Sequence, residues 1–96
     1  MTIELLHIAD CPGYAELRPR LERLLAARGL ADTLVVREIA SPEEAATAQF
    51  LGSPTVRVDG RDVEPGADER KTYAYACRTY GAAHAPSDEL ILAALG

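Results

Sequence analysis

A run of mostly apolar residues, Ile3-Glu4-Leu5-Leu6-His7-Ile8-Ala9, halts at Asp10-Cys11-Pro12-Gly13, and a helical repeat starts directly beyond it. The run is short and bounded by turn residues, so it reads as a buried strand. After the break, Tyr14, Leu17, Leu21, Leu24, Leu25 and the stem of Arg28 recur at helical spacing. Arg18, Arg20, Glu22 and Arg23 fall mostly on the other faces. Gly29 supplies a stop, because helices commonly end on a left-handed glycine. Pro19 lies inside the repeat and predicts a bend, since it lacks an N–H and crowds the preceding turn.

The same grammar continues along the chain. Thr33 to Ile39 reads as a second strand. Ser41-Pro42-Glu43-Glu44 opens a second helix: Ser41 caps, Pro42 fits the first turn, and Glu44 completes a capping box. This helix is expected to end near Gln49 or Phe50. Gly52-Ser53-Pro54 precedes a third strand, Thr55-Val56-Arg57-Val58, which reaches a turn at Asp59-Gly60. Residues 61–72 are polar, contain Pro65 and Gly66, and read as loop. Tyr73 to Tyr80, rich in Tyr and Thr, reads as a fourth strand, with a helix as the alternative because of its alanines. Pro86-Ser87-Asp88-Glu89 opens a last helix carrying Leu90, Leu92 and Leu95.

The expected order is β-α-β-α-β-β-α in a single domain, residues 1–96: an α/β fold with a central four-stranded mixed sheet and helices on both faces. The first crossover should be right-handed, which makes the first two strands parallel. The last two strands should pair antiparallel across the long loop. A 96-residue chain has room for one core. Its 48% hydrophobic and 26% charged content is that of a globular domain rather than a disordered tail.

Charge and aromatic content narrow the function classes. Ten Lys and Arg against fifteen Asp and Glu leave a net charge of -5, which disfavours a nucleic-acid partner. No Trp and only 5% aromatic residues argue against a base-stacking platform. The apolar runs fall far short of the roughly 20 residues of a membrane span. Met1 to Ala9 has no Lys or Arg, unlike a signal peptide. The expected setting is therefore cytoplasmic, with no membrane partner. Two cysteines, Cys11 and Cys77, are too few for a disulfide scaffold or a Cys-rich zinc site. In a reducing compartment such a cysteine is reactive or simply buried.

Cys11 sits where chemistry would want a thiol. A helix N-terminus presents unpaired N–H groups and the positive end of the helix dipole, both of which favour a thiolate nucleophile. The neighbouring Asp10 carboxylate acts in the opposite sense. The bland alternative is a small buried residue.

Cys11-Pro12-Gly13-Tyr14 after the first strand, with Ser53-Pro54-Thr55 before the third, resembles the thioredoxin superfamily over essentially the whole chain, at the minimal size of that fold. Phe50 to Thr55, Val58 to Gly60 and Ala76 to Tyr80 are similar to a group of small bacterial thioredoxin-like proteins with a Cys-Pro-x-aromatic start, some of which carry the label alkylmercury lyase. The resemblance implies Cys11 as nucleophile and a cis-proline at Pro54. Pro12, Ser53, Pro54 and Thr55 would then form the substrate-binding surface. The Ser53 backbone would be exposed beside Cys11, where an extended peptide or small thiol could pair. Pro19 matches a helix-bending proline of the family.

The departure is Tyr14, which stands in the place of the family's resolving cysteine and cannot attack a mixed disulfide. Its phenol would either hydrogen-bond the thiolate or pack at the start of the helix face. In the implied fold, pairing of Val58 near Tyr73 puts Cys77 opposite Pro54, about two strand spacings or ~10 Å from Cys11. A disulfide needs Cα atoms about 4.4–6.8 Å apart, so direct bonding would require movement or a different register. Cys77 reads as a strand residue packed under a helix, with resolving thiol as the alternative.

His7 reads as a satisfied histidine rather than a base, and His84 as solvated. The acids Asp59, Asp62, Glu64, Asp68 and Glu69 lack EF-hand spacing and read as a solvated face. No metal site or cofactor is expected. Three functions follow. The first is a single-cysteine thiol-disulfide oxidoreductase acting on a protein or low-molecular-weight thiol or disulfide, or a peroxide. The second is mercury or organomercurial handling by soft thiolates. The third is a non-catalytic thioredoxin-like binding module. The small size leaves little chain for a dedicated substrate pocket. Oligomeric state has no signature in the sequence.

Overall fold

In the computed structural model, which describes residues 1–96, the first apolar run forms strand β1 (Ile3–His7). Alternation along β1 serves two cores, with Ile3 and Leu5 in one and Leu6 in the other. Helix α1 (Pro12–Ala27) follows, with Cys11 as its N-cap and Pro12 in the first turn, where a missing N–H leaves no bond unmade. Leu17, Leu21 and Leu25 recur every fourth residue and form its buried stripe. The helix is unbroken through Pro19, which lies on the exposed side.

A 3-10 turn at Ala31–Thr33 leads into β2 (Leu34–Glu38), one residue shorter at each end than expected. β2 runs parallel to β1, with Leu34 opposite Ile3. Helix α2 (Pro42–Thr47) begins as its cap predicts: Glu44 N–H donates to Ser41 Oγ at 3.1 Å. The Glu44 carboxylate accepts from the Ala40 N–H at 3.3 Å, one residue before the cap. The helix stops at Thr47, before the expected end, and Gln49 then takes a left-handed φ of 54°.

Strand β3 (Thr55–Val58) lies antiparallel to β1, pairing Ile3 with Val58 and Leu5 with Val56. Its hairpin partner corrects the sequence reading. The fourth strand is β4 (Arg61–Asp62), not Tyr73 to Tyr80. Asp59 and Gly60 have φ of 50° and 83°, the left-handed pair that closes a two-residue hairpin directly. Val58 therefore pairs with Arg61. The stretch 61–72 thus holds β4 and a 3-10 turn at Ala67–Glu69 as well as loop.

The sheet order is β2-β1-β3-β4. α1 and α3 (Asp88–Leu95) pack on one face, where Leu17, Leu21, Leu25, Ile91 and Leu95 meet Ile3, Leu5, Val56 and Val58. On the other face Ala45 of α2 joins Leu6, Ile39 and Phe50. The architecture is α/β: a four-stranded mixed sheet with three helices. No helix is long and apolar enough to cross a membrane.

Candidate functional site

Asp10 takes a left-handed φ of 57° and turns the chain out of β1 into the cap of α1. The Cys11 Sγ accepts the Tyr14 N–H at 3.4 Å, and the Cys11 carbonyl accepts from Ala15 at 3.1 Å. The sulfur is thus the capping group of the helix, at the end where negative charge is stabilised. Cys11 is 5% exposed and meets the surface through a cleft of about 190 Å³. Ser53, Cys77, Arg78 and His84 share that cleft. Both cysteines are free thiols.

The Tyr14 side chain does not serve the sulfur. Its ring stacks on His7 at 3.6 Å between centroids, and its hydroxyl accepts from Arg18 Nη1 at 2.6 Å. Only its backbone N–H reaches Cys11. His7 Nδ1 donates to the Ile8 carbonyl at 3.1 Å, so the ring is a packing partner of Tyr14.

The Ser53–Pro54 peptide is cis. The loop lies against the start of α1: a Cβ placed on Gly13 would stand 3.1 Å from Pro54 Cδ. The residues expected to offer a binding surface are nonetheless buried. Ser53 is 1% exposed, Thr55 0%, and Pro54 is fully enclosed, whereas Pro12 is exposed.

The Ser53 backbone is also engaged. Its N–H donates to the Ala76 carbonyl at 2.8 Å, and its carbonyl accepts from Arg78 N–H at 2.9 Å. Its Oγ accepts from Ile8 N–H at 3.1 Å. Thr55 Oγ1 donates to the Gly52 carbonyl and accepts from Arg78 Nη1. The segment expected as the fourth strand explains this. Ala74 N–H donates to Phe50 O, so residues 74–78 run beside the 50–53 loop, with one parallel bridge between Ser53 and Cys77. The chain has filled its own loop edge. Cys77 is consequently exposed rather than packed under a helix, and it stands on the rim of the Cys11 cleft.

Arg78, which sequence reasoning passed over, locks this segment. It is 5% exposed. Nη1 donates to Asp62 Oδ2 at 2.7 Å, and Nη2 donates to Asp62 Oδ1 and Glu64 Oε1, each at 3.0 Å. The guanidinium lies 4.4 Å over the Tyr80 ring, a cation–π distance. Burial works against this charge, but hydrogen bonds and charge from Asp62 outweigh it and raise the guanidinium above its ordinary value. Nε alone has no partner. Glu64 feels burial first, which would raise it, yet hydrogen bonds from Arg78 and Arg70 hold its carboxyl below the usual carboxylate range. The solvated face expected of the acids between residues 59 and 69 fails at Asp62 and Glu64, whose carboxylates turn in to this buried cation, and nothing in their order singles out Arg78. Gly52 is part of the same fit, since a Cβ there would lie 2.8 Å from Arg78 Cβ.

No group of three or more His, Cys, Asp or Glu side chains converges in a way that could hold a metal ion. Compared with known proteins, the chain matches no family model, no curated protein and no solved structure.

Proposed function

We propose that the chain is a thioredoxin-like thiol–disulfide exchange protein that uses Cys11 as its nucleophile on a low-molecular-weight disulfide. The carrying observation is the Cys11 sulfur itself: it caps α1 and opens on a cleft shared with a second free thiol, Cys77. Further support comes from the Pro54 loop against the start of α1 and from the β2-β1-β3-β4 order with only the first pair parallel. A small substrate is favoured over an extended peptide because Ala76 and Arg78 already occupy the Ser53 backbone. A reducing cytoplasmic setting would keep both thiols ready.

The exchange takes two steps. The Cys11 thiolate attacks one sulfur of R–S–S–R′, and R′–S⁻ leaves with the electron pair and takes a proton. The Cys77 thiolate then attacks Cys11 Sγ, expels R–S⁻ and leaves a Cys11–Cys77 disulfide, which an external thiol reduces.

Mass spectrometry after stoichiometric challenge with a small disulfide tests this. In Cys77→Ser the adduct should remain on Cys11. In the unsubstituted chain the product should be lighter than the starting protein by two hydrogens, with both cysteines linked. A Cys11 that takes no adduct in Cys77→Ser would leave the third function, a non-catalytic binding module.

A further inference from the structure

Beside the thiol cleft lies a second cavity of about 710 Å³, within the range of small-molecule sites. Pro12, Gly13 and His84 line both, which makes the larger cavity the immediate neighbour of the Cys11 cleft. Tyr80, Ala83, Pro86 and Leu90 supply apolar lining.

His84 is exposed and makes no side-chain hydrogen bond, but the other polar side chains lining the cavity have partners within the protein. Arg20 donates to Glu16 at 3.1 Å and to Asp88 at 2.6 Å. Glu64 is held by Arg78 and Arg70. Ser87 Oγ caps α3 by accepting from Leu90 N–H at 3.2 Å. The Tyr80 hydroxyl donates away to Pro54 O at 2.6 Å. A charged ligand would give up hydration and find Glu16, Arg20 and Glu64 already paired, whereas an uncharged group would displace only water.

We propose that this cavity receives the uncharged, apolar organic group of the disulfide whose sulfur is exchanged at Cys11. The proposal rests on the reading of Cys11 as nucleophile and adds the substrate class. In the first exchange step, R is the group seated between α1 and the 80–87 segment. The S–S bond of R–S–S–R′ breaks, the bond from Cys11 Sγ to the sulfur of R forms, and R′–S⁻ leaves toward solvent.

The test uses Cys77→Ser, so that Cys11 is the only thiol. Four reagents are compared: a methylthiolating thiosulfonate with no tail, a neutral dipyridyl disulfide, a carboxylated aromatic disulfide and a cationic aminoalkyl disulfide. Each rate is divided by that of the same reagent with the denatured chain, which removes intrinsic reactivity. The neutral aromatic disulfide should exceed both charged ones by about tenfold or more, the scale at which an apolar pocket discriminates. The cationic reagent separates pocket selection from repulsion by the net charge of -5. Ala83, exposed at the cavity wall, offers a site for filling it. Ala83→Phe should lower the ratio of neutral-disulfide to methylthiolation rate by about tenfold, with Ala83→Leu falling between. A ratio unchanged by either substitution, or a charged disulfide that reacts fastest, overturns the cavity assignment while leaving Cys11 as nucleophile. A Cys11 inert even to the methylthiolating reagent overturns the thiol reading and this proposal together.

Discussion

Tyr80 donates its hydroxyl hydrogen to the carbonyl oxygen of Pro54 at 2.6 Å, tying the chain beyond Cys77 to the loop packed against the start of α1. Both partners are buried, so neither recovers a water if the bond is lost. Tyr80→Phe removes the donor and strands the carbonyl, at a cost of about 1–3 kcal/mol. Urea unfolding should show a lower midpoint with an unchanged slope. The pH dependence has a definite sign. Burial raises the Tyr80 phenol well above its ordinary value, with Arg78 opposing less strongly. The folded chain therefore keeps a proton that the unfolded chain releases, so this contribution is complete below pH ~10 and is lost as pH rises further. Stability should fall less steeply above that pH in Tyr80→Phe, and the two curves should converge.

Arg78 and Asp62 form a bidentate pair in which each side chain is only 3% exposed. Replacing one partner strands the other charge, so Arg78→Met should cost about 3–5 kcal/mol. Asp62→Asn added to Arg78→Met should recover part of that loss, because the stranded carboxylate is gone. Chemical unfolding of the four chains in the cycle measures this. Equal stability of the single and double variants would mean that Asp62 reaches water without Arg78.

Glu64 contributes to the acid limb of the stability curve. Its carboxyl is held below the usual range, so the unfolded chain binds the proton first as pH falls. The stabilisation is present above the unfolded value, about 4.3, and disappears as pH drops through the lower folded value. Stability measured from pH 6 to pH 3 should fall more gently in Glu64→Gln. The neighbouring Arg70 is half exposed and adds little; Arg70→Ala should move the curve much less than Arg78→Met.

These three groups also mark where the sequence stopped being informative. The Cys11 and Ser41 caps were legible because a cap is written in four consecutive residues. β1, β3 and the Asp59-Gly60 turn were legible for the same local reason. Tyr73 to Tyr80 has the composition of a strand, but strand propensity reports a fit to a half-buried surface and does not name a neighbour. Here the neighbour is the 50–53 loop, and the hairpin position was already taken by Arg61 and Asp62. That substitution reversed the expected surroundings of Cys77 and closed off the Ser53 backbone. The burial of Arg78 depends on Asp62 and Glu64 meeting it across the fold, a contact between residues 14 and 16 positions apart.

Gly13 is the point where helix, loop and cavity come closest. A Cβ at this position would stand 2.3 Å from the His84 carbonyl oxygen and 3.1 Å from Pro54 Cδ. The first contact is with backbone, which has no rotamer to swing away, so Gly13→Ala must push the 81–87 segment off α1. The gain in helix propensity, up to about 1 kcal/mol, is smaller than the overpacking cost of about 1–3 kcal/mol, so the net effect should be destabilising. Pro12, Gly13 and His84 are the walls shared by the thiol cleft and the larger cavity, so the displacement should also widen the route to Cys11. In a Cys77→Ser background, a bulky maleimide should modify Cys11 faster in Gly13→Ala than in the parent. Unfolding midpoints measured on the same samples would separate local opening from global instability. A destabilised variant with an unchanged Cys11 rate would mean that His84 yields without exposing the thiol.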